Sequence, residues 1–479
     1  MRSRLPCLRI SRSFRARCRA VSKIAAPFPF GNAAFNSAVS GLHQLPLGRI
    51  MGADNVHATK GERMYDTGST TFMLICTMLV FFMTPGLAFF YGGLSRRKNV
   101  INTMLMCFGA IGLVGVLWIV AGWSLAYGGD GSSPFIGGLD QLLCLPVLNQ
   151  VLQAAEGNAA DGAVYPQIIN IAFQMAFAMI TAAIVTGSLA GRVKFGAMTA
   201  FLGIWLLVVY APLAHMVWGG DGSFIGDIIG ALDFAGGDVV HISSGLTGLI
   251  LCLMLGRRRG FGMVSYRPHN VPFVALGAGL LWFGWFGFNG GSEFKADAVT
   301  ASAAGMVSWL VVERVHTGRP TLVGASTGLV AGLVVVTPGA GFVEPWAALV
   351  MGLIVSPVCY LAISHLKTRF GYDDALDAFG CHGIGGILGG VLTGLFCVPE
   401  LSWTGKGGLF YTGDASLLVS QVLGIVVTVV IVLVLDVVIA AVVKALFHGS
   451  LRVDEADEAL GLDASQHGES AYPSFSGLD

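Results

Sequence analysis

Charged residues are scarce in this chain of 479 residues, because aspartate, glutamate, lysine and arginine together make up only 12%. A soluble globular protein carries roughly a quarter, so this composition excludes a soluble enzyme. Neither sign of charge is in excess, with 28 Lys and Arg against 28 Asp and Glu. The charge balance therefore indicates no nucleic-acid partner.

Closely paired cysteines are also missing. None of the nine cysteines belongs to a C-x-x-C pair, which is the spacing common to metal and redox sites. Several of them, Cys76 and Cys107 among them, lie in apolar runs, where a thiol packs as a small hydrophobic group. We therefore expect no metal and no other cofactor.

Apolar residues and glycine are abundant instead. Hydrophobic residues make up 54% of the chain, the mean hydropathy is +0.73, and there are 67 glycines. Glycine lets membrane helices approach closely. Crossing about 30 Å of hydrocarbon takes roughly 20 apolar residues, and eleven runs approach or exceed that length: 70–93, 101–127, 164–190, 196–217, 238–256, 271–290, 298–315, 321–337, 341–365, 376–397 and 416–447. The sequence predicts an all-α integral membrane protein with eleven transmembrane helices.

The connections between these runs differ sharply in positive charge. Alternate connections, together with the residues after the last run, hold 15 lysines and arginines, whereas the other set holds only Lys295 and Lys406. Because cytoplasmic loops concentrate Lys and Arg, we expect the N-terminus outside and the C-terminus in the cytoplasm. The chain then divides into a basic extension (1–63), a transmembrane domain (64–447) and a cytoplasmic regulatory tail (448–479).

The basic extension has 11 lysines and arginines, and its first acidic residue is Asp54. This composition resembles a transit peptide, but the apolar segment of a secretory signal is missing. One interpretation is a translation start assigned too far upstream, with Met64 or Met51 as the true start. The other is a functional presequence. Without a convincing organelle signal, we expect the plasma (inner) membrane of a bacterium.

A short sequence occurs twice. Residues 231–236 (ALDFAG) precede the fifth run and are followed by His241, and residues 375–380 (ALDAFG) precede the tenth and are followed by His382. Five runs separate the copies, so the second enters the membrane from the opposite side. This pattern predicts two inverted five-helix repeats plus a long eleventh helix, with a substrate path between the halves. We pair Asp233 with Asp377 in this alignment.

Histidines and aromatic residues are the candidates for chemistry. Ionisable groups inside membrane helices are costly and therefore functional candidates. His241 and His382 could relay protons, accept a hydrogen bond from a small ligand, or ligate a metal or haem. An aromatic group at the predicted outer side would suit a monovalent cation, with core packing or an interfacial belt as the alternative; it comprises Phe173, Phe177, Trp218, Trp285 and Phe288, with the hydroxyl of Ser292.

Two aspartates complete the set of candidates. Asp233 precedes the fifth run, where a short carboxylate caps a helix well and also favours a nearby cation. Asp436 lies between Leu435 and Val437 in the eleventh run. We interpret it as an acid satisfied by a neighbouring helix or subunit, and assign it no role.

Several motifs are similar to those of the ammonium transporter family, in the Amt branch of the Amt/Mep/Rh superfamily. The similarity extends from about Asp66 to Tyr472. The motifs are FFYGGL at 89–94, AHMVWGG at 214–220, residues 233–241, 284–292 and 377–383, and a tail signature at 461–472. Cys381, where a small aliphatic residue is expected, and Asp436 depart from the family pattern.

The resemblance implies a role for each candidate residue. Phe173, Phe177, Trp218 and Ser292 would form an external ammonium-recruitment site, with Trp285 in its wall. Phe177 and Phe288 would be stacked gate rings, and His241 and His382 would line a hydrophobic pore. Asp233 would be the carboxylate required near its mouth. The resemblance also implies a homotrimer with one pore per subunit, blocked in bacteria at the cytoplasmic face by a PII-type signalling protein.

These roles have a physical logic. An intact cation is costly to carry through a dry pore, but ammonium can lose a proton and continue as ammonia, with the proton taking a linked route. Potassium cannot do this. Three alternatives stay open: an ammonium sensor signalling through its tail, a channel for carbon dioxide or another neutral gas, and a redox protein with haem on the two histidines.

Overall fold

The computed structural model describes residues 66–145, 154–156, 164–264, 266–293 and 298–472. Within them, eleven helices are long and apolar enough to cross a membrane, which confirms the predicted number. They are α1 (Thr67–Leu94), α2 (Arg97–Tyr127), α3 (Gln167–Leu189), α4 (Phe195–Trp218), α5 (Gly237–Leu255), α6 (Val271–Ser292), α7 (Ala298–Thr317), α8 (Leu322–Gly339), α9 (Pro345–Phe370), α10 (Phe379–Phe396) and α11 (Ser416–Leu446). Our interpretations of the basic extension concern residues outside the described part.

Local sequence explains where two of these helices begin. Asp66 accepts a hydrogen bond from the Ser69 amide at 2.5 Å and starts α1. Thr321 does the same for the Gly324 amide at 2.9 Å and starts α8. Such side chains satisfy amides that the first helical turn leaves without partners.

The connections contain a little further structure. Strands β1 (Ala154–Glu156) and β2 (Val164–Pro166) form an antiparallel pair in which Ala154 faces Pro166. This small hairpin lies in the connection between α2 and α3, and the all-α fold class is confirmed. Shorter helical turns occur at Leu142–Cys144, Phe224–Ile229, Pro399–Leu401 and Leu409–Thr412.

The bundle has two five-helix halves, α1–α5 and α6–α10, with α11 packed on α4, α5 and α10. Each half contains a π-helical turn with a candidate histidine: Gly237–Ile242 in α5 and Phe379–Gly383 in α10. Such turns are rare and are frequent at functional sites. The predicted inverted repeat is therefore reproduced in local geometry.

The structure corrects the pairing of aspartates in this repeat. Asp374, rather than Asp377, accepts hydrogen bonds from the amides of Ala378, Phe379 and Gly380 at 3.2, 2.9 and 3.3 Å. It stands eight residues before His382, as Asp233 stands eight before His241. Asp377 has a φ of 61° and binds Lys367 at 2.6 Å instead. The similarity of the two short sequences therefore pairs Asp233 with the wrong aspartate. What the two halves share is the spacing between the aspartate that caps the helix and the histidine that follows it.

The tail forms two helices, α12 (Glu455–Leu460) and α13 (Leu462–His467). They contact the start of α2, where Asn99 Oδ1 accepts from the Leu462 amide at 2.9 Å. The Asn102 amide donates to Asp463 Oδ1 at 2.8 Å. The tail is thus fastened to the transmembrane domain by hydrogen bonds at helix ends.

Candidate functional site

Two phenylalanine rings, one from each half of the bundle, are stacked on each other. Phe177 of α3 and Phe288 of α6 are stacked, with ring centroids 4.0 Å apart and an interplanar angle of 11°. Both side chains are fully buried. The stacked rings leave no space for a small molecule between them.

Further aromatic rings lie next to this pair on the side predicted to face outside. The Phe173 ring lies 4.8 Å from Phe177, and the Trp218 ring lies 6.2 Å from it at nearly a right angle. Trp218 is only partly buried. Ring faces attract a nearby cation, so the structure brings together the aromatic part of the predicted recruitment site.

The hydroxyl of Ser292 lies at the end of α6 next to this group. The Phe173 ring packs against its neighbour, Gly291. Ser292 Oγ donates its hydrogen to the carbonyl of Phe288 at 2.9 Å. The oxygen lone pairs are then left to accept a hydrogen bond, which is what an ammonium-like donor requires.

The carboxylate of Asp233 is occupied by backbone amides at the start of α5. Its carboxylate accepts hydrogen bonds from four successive amides, those of residues 236–239, at 2.8, 2.5, 2.8 and 3.3 Å. Its carbonyl oxygen accepts from the Trp218 indole at 2.8 Å. Asp233 therefore caps α5 and also fixes the orientation of Trp218.

The two histidines meet behind the phenylalanine pair. Nδ1 of His241 and Nδ1 of His382 are 3.2 Å apart, and both residues are buried. The His241 ring also stacks on Trp285, with centroids 5.5 Å apart. Because a shared hydrogen bond takes one donor and one acceptor, the neutral pair must hold its two rings in opposite tautomers.

Glycines one turn after each histidine let the two helices cross here. A Cβ on Gly386 of α10 would lie 3.1 Å from the Cβ of His241, and one on Gly245 of α5 would lie only 2.6 Å from the Cα of Gly383. Real Cβ atoms essentially never approach below 3.0 Å. The two halves therefore pack reciprocally, each glycine against the other half's histidine segment.

A narrow cavity lies beside the histidine pair. Its volume is about 10 Å³, which is room for about one water-sized molecule. Apart from His241 and His382, its lining is apolar or aromatic: Met83, Leu87, Ile180, Ile184, Val240, Leu281, Trp285, Phe288 and Val330. Nε2 of His241 has no hydrogen-bond partner among the described residues. This nitrogen is free to bind a small polar molecule in an otherwise apolar cavity.

Sequence reasoning missed the residues that hold this arrangement. The Trp285 indole donates to Thr337 Oγ1 at 3.0 Å, and Thr337 also contacts Asn289 Oδ1 at 3.5 Å. Nothing in the sequence marks Thr337, because it stands alone at the end of α8. Gly245 and Gly386 did carry a signal, because each stands four residues after the histidine of its own repeat.

Comparisons with known proteins agree with this architecture. The sequence profile of the Ammonium Transporter Family matches residues 71–472. The chain is 45% identical to an ammonium transporter of Bacillus subtilis, over 85% of this chain and 98% of that protein. It is 44% identical to an ammonium transporter of Aquifex aeolicus, over 89% of this chain and 98% of that protein.

Solved structures are similar as well. The crystal structure of Saccharomyces cerevisiae Mep2 has a TM-score of 0.75 at 32% identity, covering 86% of this chain and 93% of that one. A protein described as a sensor Amt protein has a TM-score of 0.72 at 25% identity, covering 83% of this chain and 98% of that one. On the profile match, the close curated relatives and the shared fold, this multi-pass membrane protein belongs to the ammonium transporter family.

Proposed function

We propose that this protein takes up ammonium by recruiting NH4⁺ at the aromatic site, removing a proton and conducting NH3 through the histidine-lined cavity. The observation that supports this most is the order of the three parts. Ring faces and a hydroxyl acceptor lie outside the phenylalanine pair, and an apolar cavity with two histidines lies behind it.

Recruitment would rest on Phe173, Phe177, Trp218 and Ser292, with Trp285 in the wall. The rings stabilise a cation by their π faces, and Ser292 Oγ supplies an acceptor. Asp233 adds a negative charge nearby while it orients Trp218. The cation would be held weakly, because no carboxylate contacts it directly.

Passage would require neutral ammonia. The cavity has no charged side chain in its lining, so an intact cation would lose its hydration without replacement. Phe177 and Phe288 would act as the gate, and His241 and His382 would offer hydrogen bonds to ammonia. Potassium has no proton to lose, which gives selectivity from chemistry rather than from size.

The haem alternative does not suit the histidine geometry. Nδ1 of His241 and Nδ1 of His382 are within hydrogen-bond distance of each other, at 3.2 Å, and the cavity beside them is about 10 Å³, which is far too small for a porphyrin ring. A neutral-gas channel would leave the Trp218 and Ser292 arrangement without a purpose. We propose the plasma membrane of a bacterium as the location, with the N-terminus outside and the tail in the cytoplasm.

The family resemblance also supports a homotrimer and a PII-type partner at the cytoplasmic face. A sensor that binds ammonium and signals through its tail is the second candidate. It is favoured by the similarity to a sensor Amt protein and by the docking of α12 and α13 on α2.

The test is ammonia flux into vesicles that contain the purified protein and an internal pH dye. We expect an ammonium gradient to change the signal of the internal pH dye faster than it does in protein-free vesicles. A potassium gradient should give no change beyond that of protein-free vesicles. Binding of ammonium without flux would favour the sensor. If the protein showed no ammonium binding and no flux, both candidate functions would be overturned.

A further inference from the structure

Gln421 lies near the start of α11, and nothing in the proposed pore uses it. The residue is only 2% exposed, yet its amide group is fully hydrogen-bonded. Oε1 accepts from the Leu232 amide at 2.6 Å, and Nε2 donates to the carbonyls of Leu232 at 2.9 Å and Gly390 of α10 at 3.2 Å. Because a glutamine amide offers both a donor and an acceptor, one side chain holds both backbone groups of Leu232. We call this set of bonds the outer clamp.

A second side chain of α11 holds the same segment. Ser420 Oγ donates to the carbonyl of Ile229 at 2.8 Å. The helix can approach this closely because Gly424 has no side chain; a Cβ there would lie 2.9 Å from the Cβ of Ala231. The start of α11 therefore fixes residues 229–232, the segment that leads into the aspartate cap of α5.

The outer clamp lies one residue from the group that orients Trp218. The carbonyl of Leu232 and the amide of Asp233 belong to one planar peptide unit. The carbonyl of Asp233, in the next unit, accepts the hydrogen bond from the Trp218 indole at 2.8 Å. Gln421 and Trp218 therefore bond to the two peptide units on either side of the Asp233 Cα. A shift of the clamped unit would move the acceptor on which the orientation of Trp218 depends.

The other half of the bundle has a corresponding set of bonds, which we call the inner clamp. Asp373 directly precedes Asp374 and so corresponds to Leu232. Its carbonyl accepts from Nη2 of Arg192 at 2.5 Å, and Nε of Arg192 donates at 2.9 Å to the carbonyl of Gly256, directly after α5. Arg192 is 0% exposed. Each clamp therefore joins the residue before a capping aspartate to the histidine helix of the opposite half, or to its end.

The two clamps differ in charge. Arg192 brings a guanidinium to the inner clamp, whereas Gln421 brings a neutral amide to the outer one. A positive charge in the outer clamp would lie close to the proposed recruitment site. It would repel an incoming ammonium ion, and the more strongly because the clamp is buried. A neutral amide makes the same kind of bonds to the backbone without this repulsion.

We propose that Gln421 is a positioning residue of the recruitment site, which holds Asp233 and Trp218 in place from α11 and must be neutral because the site receives a cation. The inference rests on the proposed function, since it names the residue that prepares that site. It also gives α11 a part in recruitment, although α11 lies outside the two repeats. Gln421 does not touch ammonium itself, so its substitution should change affinity more than maximal flux.

The first test is fluorine NMR of the reconstituted protein labelled with fluorotryptophan, without ammonium. Trp218→Phe assigns the Trp218 signal. We expect that signal to shift in Gln421→Met, which removes the outer clamp, and to stay in place in Arg192→Met, which removes the inner one. Ser420→Ala, expected to shift it as well, serves if Gln421→Met does not fold. A signal that is unmoved in folded Gln421→Met, or in the variant that replaces it, would overturn the proposal.

The second test is the ammonium concentration that gives half-maximal flux in the vesicle assay. Gln421→Met should raise this concentration about threefold, which is less than the loss of a direct hydrogen bond to the cation would give. Gln421→Lys should raise it further, because it adds a positive charge. Arg192→Met is the matched control, which should lower the melting temperature as Gln421→Met does and leave the half-maximal concentration unchanged.

If Gln421→Lys does not fold, Gln421→Glu replaces it, and its opposite charge should raise the half-maximal concentration less than Gln421→Met does. An unchanged concentration in Gln421→Met would overturn the positioning role. An order of the variants that does not follow their charge would overturn the requirement for neutrality. A wild type without any response to ammonium would overturn the proposed function alone, because the fluorine spectrum reports on Trp218 without ammonium.

Discussion

Single hydroxyl and carboxyl groups set the chemistry of the proposed recruitment site through the bonds that they already make. Ser292 donates to its own helix and so can only accept. Asp233 is occupied by four amides and so acts at a distance. Because these groups are already hydrogen-bonded, fewer side chains are available to an incoming ion than the sequence places near the site.

Ser292→Ala should weaken apparent ammonium affinity about tenfold, because a hydrogen bond to a charged group contributes roughly 1.5–3 kcal/mol. The measurement is the ammonium concentration that gives half-maximal current. Ser302→Ala is the matched control, since Ser302 also bonds to its own helix, at 2.8 Å to Val299. Equal affinities in both variants would remove Ser292 from the site.

At the scale of helices, the crossing of α5 and α10 decides where the histidines lie. Gly245 and Gly386 allow the backbones to touch, and the π-helical turns aim both imidazoles at the same cavity. The distance between the histidines is thus a property of two helices and not of the histidines alone.

Gly245→Ala should destabilise the folded protein by about 1–3 kcal/mol, the usual cost of overpacking, and should slow ammonia flux by moving the histidines apart. Gly112→Ala is the control, because a Cβ there meets nothing within 4 Å. Thermal melting and flux are measured together. A melting temperature and a flux equal to those of the control would show that the crossing tolerates a methyl group.

Substitutions of the paired carboxylates Asp233 and Asp374 can distinguish a structural role from an electrostatic one. Asp233→Asn and Asp374→Asn should each lower the melting temperature, since each removes charge-assisted hydrogen bonds to the amides at a helix start. Only Asp233→Asn should also weaken ammonium affinity, because Asp374 lies on the opposite side of the membrane. If both variants changed the affinity equally, the charge of Asp233 would have no special part in recruitment.

At the scale of the whole molecule, sequence patterns predicted the number of helices and the inverted halves, because hydrophobic length and repeated motifs are local signals. The roles of the site residues stay predictions. Sequence patterns could not predict that Asp374 rather than Asp377 corresponds to Asp233, because the hydrogen bonds that cap a helix cannot be read from the sequence. They also could not reveal the partners of Thr337 or the complete burial of Asp436 within the subunit, where a neighbouring subunit cannot reach it. Both depend on helices distant in sequence.

On the side predicted to face the cytoplasm, the two halves are joined by an ion pair between Arg258 and Asp373 at 2.7 Å. Burial opposes the charged form of Asp373, but hydrogen bonds and charge from Arg258, with the charge of Arg192, hold its pKa below the usual 3.8. The stability from this pair is present above pH 3.8 and is lost as the pH falls through the lower folded pKa.

Asp373→Asn should therefore cost about 3 kcal/mol at pH 7, because it leaves a largely buried arginine without its partner. The difference from the wild type should shrink below pH 3.8. Melting temperatures of both proteins across pH measure this. A difference that stays constant into acid would mean that the carboxylate charge is not what stabilises this contact.

The central claim is that ammonium is deprotonated on its way through a histidine-lined pore. The most direct measurement is the current across a membrane bearing the reconstituted protein after a pulse of ammonium or potassium, with His241→Ala/His382→Ala beside the wild type. The account predicts a transient current for ammonium, none for potassium, and an altered ammonium response in the double variant. A potassium current of similar size, or an ammonium current untouched by the double substitution, would contradict it.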